Sequence, residues 1–330
     1  TKSATMGNSY SVVMYFGERG GGANMNFLYS GPSLSETSNL SAHFTTEAPV
    51  SYGITKLGAG SLALGGTNTY TGETNIDGGM LAVSGSLSNS TAVSVASGAT
   101  YNVNASDTVG SIAGAGTITT TASSGAIELT TGNNGTSTSF TGALQDGINA
   151  TLALTKSGAG TLTLSGANTY SGATTISAGT LVAANNTALG TTAGSTSISS
   201  GAALALQGNV TIAEDITAVG SGVSSTGAIL NNSGNNTLTG DITFSGATTV
   251  GSTSGTLTID SASTSINDSG SNLTFTGAGN ITVADVIATV AGTLTKSGAG
   301  TLTLSGANTY SGATTISGGK INLENASALG

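Results

Sequence analysis

The 330 residues include no cysteine and no tryptophan, one histidine and two prolines, and Lys, Arg, Asp and Glu together make up only 6% of the chain. The missing cysteines exclude thiolate metal centres, cysteine nucleophiles and disulfides together. His43 is the only histidine, so any triad or histidine metal site would have to be built around it. No Gly-x-Ser-x-Gly elbow places a serine near it, and it reads as a surface or linker residue. Six basic residues spread along a chain of net charge −9 leave no cationic stripe to neutralise phosphates, so nucleic acid is not an expected partner. No apolar run approaches the roughly 20 residues that a membrane helix needs. The chain opens on Thr1 with no signal sequence behind it, and reads as a mature or excised piece of something longer.

Scarce charge is one mark of low complexity, but disordered chains are also poor in branched apolar residues, and here the hydrophobic fraction is 37%. An ordered fold follows, solubilised by hydroxyls and amides. No segment holds a 3.6-residue apolar period over a helical length, and 52 glycines would break helices that tried. Short runs of period two fill the chain instead. In Gly160-Thr161-Leu162-Thr163-Leu164-Ser165-Gly166 the leucines share one face and the threonines the other. The predicted arrangement puts leucine inward and threonine toward water.

Internal repeats decide the architecture. The stretch LTKSGAGTLTLSGANTYSGATTIS occurs at Leu154 to Ser177 and again, unchanged, at Leu294 to Ser317, 140 residues on; a looser copy begins at Thr55, 100 residues before Thr155. Both spacings are multiples of 20, near the length of one solenoid turn. Strands this short are stable only when stacked turn on turn, so the fold class is all-β, a parallel β-helix (β-solenoid) over residues 53–330. The structural positions of the clear repeats, at 55–81, 155–181 and 295–321, are Leu62, Leu64, Asn68, Tyr70 and Ile76, then Leu162, Leu164, Asn168, Tyr170 and Ile176, then Leu302, Leu304, Asn308, Tyr310 and Ile316. Asparagines suit amide ladders and tight corners, and Ala167 to Gly172 reads as one such corner.

These three segments resemble the autotransporter-associated β-strand repeat of large Gram-negative surface proteins. The resemblance implies a right-handed β-helical passenger, exported and displayed on or released from the outer cell surface; it implies no catalytic activity. The family's C-terminal translocator barrel has no counterpart here, and Ala328-Leu329-Gly330 mirrors Ala188-Leu189-Gly190 inside the second repeat. Residues 1–52 differ in composition. The stretch from Tyr10 to Glu18 and from Gly20 to Pro32 resembles the last strands of a PA14-type carbohydrate-binding sandwich. The alternative is a small β cap or adaptor, a hairpin of Tyr10 to Glu18 and Ala23 to Ser30 over the first rung.

Candidate chemistry is sparse. Parallel β-helices include polysaccharide lyases and hydrolases that set aspartates on successive rungs, and Asp241, Asp260, Asp268 and Asp285 are the carboxylates to weigh. No basic or aromatic residues accompany them to grip a sugar, so isolated turn aspartates are the preferred reading. Glu214 and Asp215 are adjacent and point to opposite faces of a strand. The nonapeptide of calcium-binding β-rolls is absent, Gly319-Lys320 lacks a phosphate loop's earlier glycine, and Gly58-Ala59-Gly60 lacks a dinucleotide fingerprint's third. No cofactor, metal or catalytic residue is expected. Lys56, Lys156 and Lys296 recur at the start of each repeat and read as solvated edge charges that deter aggregation. Outward pairs such as Thr161 with Thr163 invite an ice-binding reading, against which the intervening rungs look irregular. The sequence therefore points to a structural or adhesive stalk, not an enzyme. Its expected partners are copies of itself or flanking parts of a longer chain, and a surface glycan for the N-terminal region.

Overall fold

A computed structural model of the chain describes residues 52–330 apart from 262–264, 269 and 289–290, and gives the backbone alone at 265, 267 and 268. Its elements are short strands whose side chains alternate, as in Thr151–Lys156 and Thr161–Leu164, where partly exposed and buried residues follow one another. The only helical turn among the described residues is the 3-10 segment Val223–Ser225. Glycine closes the runs: Gly158 takes φ +64° at the corner between these two strands, a region a residue without Cβ enters freely.

Three runs complete one circuit, and strands of successive circuits pair in parallel, as Leu154 with Thr174 and Leu162 with Leu181. The result is a β-solenoid with three faces. The first face carries Ile54–Lys56, Thr74–Ile76, Ala92–Val95 and Ser111–Gly114, then Thr161–Leu164 and Thr180–Ala183 farther on, and ends in Leu294–Lys296 and Thr314–Ile316. The second begins with Ser61–Leu64 and Met80–Val83 and ends in Thr301–Leu304 and Lys320–Leu323. The third runs through Asp107–Val109, Ala126–Thr131, Thr151–Lys156, Thr174–Ile176, Ser195–Ile198 and Asp215–Gly220. One long strand, Ile242–Ser252, rounds a corner and pairs on both the third face and the first. About twelve turns at ~4.8 Å each make a rod ~60 Å long.

The circuits differ in length. Thr117 lies over Thr100, 17 residues earlier, whereas Thr248 lies over Gly220, 28 residues earlier. The repeat spacings, though multiples of 20, are therefore not whole numbers of turns. The first repeat starts on the first face with Ile54–Lys56, the second on the third face with Thr151–Lys156, and the third on the first face again with Leu294–Lys296. Following the chain face by face, the first two repeats are four and two-thirds turns apart and the second and third six and one-third. Two identical sequences thus look out in directions a third of a turn apart.

Inside runs one continuous core in which Tyr101, Phe140, Tyr170, Phe244 and Phe275 are fully buried among leucine, isoleucine and valine. Stacking brings backbones together at the corners. A Cβ on Gly142 would lie 1.8 Å from the Gly116 oxygen, and one on Gly166 would lie 1.8 Å from the Gly142 oxygen. Only glycine fits in that column.

The hairpin and sandwich expectations for residues 10–32, and His43, lie outside the described residues. So does the side chain of Asp268.

Candidate functional site

The repeat corners hold the most ordered polar chemistry. By alternation Leu154 points in, Thr155 out and Lys156 in. Lys156 is accordingly only 1% exposed, with Lys296 at 2% and Lys56 at 7%. The reading of these lysines as solvated edge charges is thereby corrected: their parity along the strand sends them into the rod. The Lys156 Nζ donates to the carbonyls of Ser157 (2.6 Å), Gly158 (2.9 Å) and Ala178 (3.1 Å). Lys56 does the same to Leu57, Gly58 and Gly78, and Lys296 to Ser297, Gly298 and Gly318. Two acceptors belong to the lysine's own corner and the third to the corner one turn later, so each ammonium clamps two rungs. Burial lowers the affinity of all three amines for their proton, in Lys156 to about 8, and the three carbonyl dipoles oppose that trend.

The asparagine of each repeat is a second clip. Asn168 accepts from the Leu144 amide at 2.8 Å on the preceding turn and donates to the Ala188 carbonyl at 2.7 Å on the next. Asn308 repeats this with Ile287 and Ala328. Asn68 donates to Gly66 and Ser86. Beside it the tyrosine hydroxyl meets a threonine four residues on, Tyr170 with Thr174 and Tyr70 with Thr74 at 2.7 Å and Tyr310 with Thr314 at 2.8 Å. From each of the first two tyrosines a polar seam runs into the core. Thr74 continues to Thr91 at 3.1 Å, near Asp107, and above Thr174 the Thr196 hydroxyl donates to Glu214 at 3.0 Å. Burial raises both carboxyl groups, Glu214 to about 8.

Leu64, Leu162, Leu164, Leu302, Leu304, Ile76 and Ile176 are buried, and Leu62 and Tyr70 partly so. Ile316 is 55% exposed, because no later strand among the described residues covers Thr314–Ile316. Between the first and second repeats the lysine, leucines, asparagine, tyrosine and isoleucine are kept. Apart from Ile54 against the buried Leu154, most changes fall on outward or corner positions, as Ala63 against Thr163 and Asn75 against Thr175.

The aspartates are dispersed. Asp241 and Asp260 are exposed, whereas Asp285 is buried and accepts the Ser261 amide at 3.0 Å with both oxygens. Glu214 faces in and Asp215 out. Gly58, Gly298 and Gly319 turn corners at positive φ. Two shallow surface recesses occur, one of about 260 Å³ beside Asp107 and Glu128, and one of about 510 Å³ beside Glu73, Asn75 and Asn134. Outside, the third face carries a hydroxyl column in unbroken register: Thr108, Thr130, Thr155, Thr175, Ser197, Thr217 and Thr243. The outward pair of Thr161 and Thr163 is not continued in this way, since Thr163 lies beside Val182 and Thr301 beside Lys320. The next outward column is mixed, with Glu128 beside Ala153 and Ser195 beside Asp215.

The family described as Passenger-associated-transport-repeat matches three times, at residues 54–83, 154–183 and 294–323. The chain is a β-solenoid that carries passenger-associated transport repeats. Each matched window begins at the strand that bears the clamping lysine and ends with the strand paired above the leucine pair, as Thr161–Leu164 under Thr180–Ala183. One passenger repeat is therefore four strands that already stack on themselves, with lysine, asparagine and tyrosine at its corners. No curated protein and no solved structure matches the chain. The repeat family implies a secreted or cell-surface protein.

Proposed function

We propose that the protein is a rigid stalk displayed on the outer surface of a Gram-negative-type cell, acting by extension and contact and not by catalysis. The observation that carries this reading is the unbroken parallel stacking over about twelve turns, with the repeats' polar groups committed to clamping one rung to the next. Three of the six basic residues are sealed in corners, which leaves the described exterior mostly to hydroxyls, amides and scattered acids, with Lys320 exposed near the end. Partners then meet the outward faces, the ends of the rod or the N-terminal region: copies of the same chain, flanking parts of a longer one, or a surface glycan. Negative-stain electron microscopy across a concentration series tests this. Isolated rods at every concentration support a monomeric stalk, filaments with an axial repeat support self-assembly, and compact particles contradict both.

The hydroxyl column on the third face favours a second reading, contact with an ordered surface such as ice. Thermal hysteresis that disappears on changing Thr155 and Thr175 to lysine would establish it, and its absence in the unmodified protein would remove it.

A further inference from the structure

One buried carboxyl group bridges two rungs with only one of its oxygens. Glu214 is 3% exposed, its Oε1 accepts a hydrogen bond from Thr196, and its Oε2 has no partner. The groups that face it are neutral or negative. Tyr170 lies below, its hydroxyl bonded to Thr174 on the strand that pairs with that of Thr196, and Asp215 follows directly in the chain, its Oδ1 accepting the amide of Asp241 from the turn above. Lys156 stands three rungs down the same face with its ammonium held by three carbonyls. Asp107, the acid of the first repeat's seam, differs: its two oxygens accept the Leu87 and Thr108 amides, both at 2.9 Å. A buried carboxylate without such donors or a cation is strongly disfavoured, whereas the protonated acid is merely short of one hydrogen bond.

We propose that the Tyr170–Thr174–Thr196–Glu214 seam is a proton-held joint, which keeps the middle of the rod closed in acidic and neutral media and lets the rungs around Ser195–Ile198 and Asp215–Gly220 open as the medium turns alkaline. Direction follows from linkage. The folded chain binds the Glu214 proton more tightly than the unfolded chain does, so the stabilisation is complete below the unfolded value of 4.5 and is lost as pH rises through about 8. Opening there would divide the rod into two stiff halves, one retaining the Lys56 and Lys156 clamps and the other the Lys296 clamp.

Hydrogen exchange of the full chain between pH 6 and pH 9, corrected for the intrinsic pH dependence of exchange, tests the joint. Protection of amides 195–198 and 215–220 should fall at least ~10-fold in the unmodified protein, while Glu214→Gln, neutral and of the same shape, should change by less than ~2-fold. Equal falls in both proteins would overturn the proposal, as would no fall in either. If the variant does not fold, carbon NMR of the Glu214 carboxyl in the unmodified protein decides. A titration midpoint near 8 supports the joint, and one near the ordinary 4.5 overturns it.

Discussion

Replacing Lys156 by methionine probes the clamp that all three repeats share. Methionine fills the channel of the lysine stem but leaves the carbonyls of Ser157, Gly158 and Ala178 without their donor, at sites now 2.6, 2.9 and 3.1 Å from a charged nitrogen. A buried acceptor left unpaired costs about 1–3 kcal/mol, and a hydrogen bond to a charged group is worth about 1.5–3 kcal/mol net. Against three such losses stands the relief of taking an unpaired ammonium out of the interior, which is several kcal/mol. The two corner carbonyls of the lysine's own turn can also recruit water. A net loss of about 2–4 kcal/mol remains, felt where the clamp joins two rungs, because a solenoid couples mainly to nearest neighbours. Native-state hydrogen exchange reads it: protection at amides 154–156 and 174–180 should drop by about 30- to 1000-fold. The face opposite and the rungs near residue 280 should change little. Protection in Lys156→Met within about threefold of the unmodified protein would refute the clamp.

Other substitutions sort the remaining corner devices. Asn168→Ala removes a clip between three rungs and should destabilise the second repeat by about 2 kcal/mol in denaturant titration. Tyr170→Phe, losing one buried hydroxyl contact, should cost about 1 kcal/mol and leave the fold intact by circular dichroism. Gly166→Ala places a methyl 1.8 Å from the Gly142 carbonyl and must push rungs apart, by about 2–3 kcal/mol or more; Gly201→Ala, at φ +84° with open space around it, should cost only about 1 kcal/mol.

Much of the rod is legible in the chain. Period-two runs such as Thr161 to Leu164 and the near-absence of helical patterning announce stacked strands, because one buried row per strand leaves no other economical arrangement. The lysines show where reading by residue type fails. Parity puts Lys156 on the same side as Leu152 and Leu154, and that signal was present in the sequence, but a lone charge suggests solvent until the corner carbonyls that receive it are seen. The rotation of the second repeat was not legible. It depends on insertions in the intervening circuits, such as the corner that lies between Thr131 and Thr138, whose lengths carry no periodic mark. Nor could the sequence bring Glu214 to Thr196, since that contact depends on the stacking register of two irregular rungs.

A chain without cysteine lends itself to testing the register directly. Outward cysteines at Thr130 and Thr155, paired across successive rungs of the third face, should form a disulfide under mild oxidation, detected by mass spectrometry. A uniform 20-residue turn would instead set Gly135 beside Thr155, and that cysteine pair should stay reduced. Crosslinking of 135 with 155 in preference to 130 with 155 would contradict the stacked, unequal circuits from which the clamps, the rotation of the repeats and the stalk reading all derive.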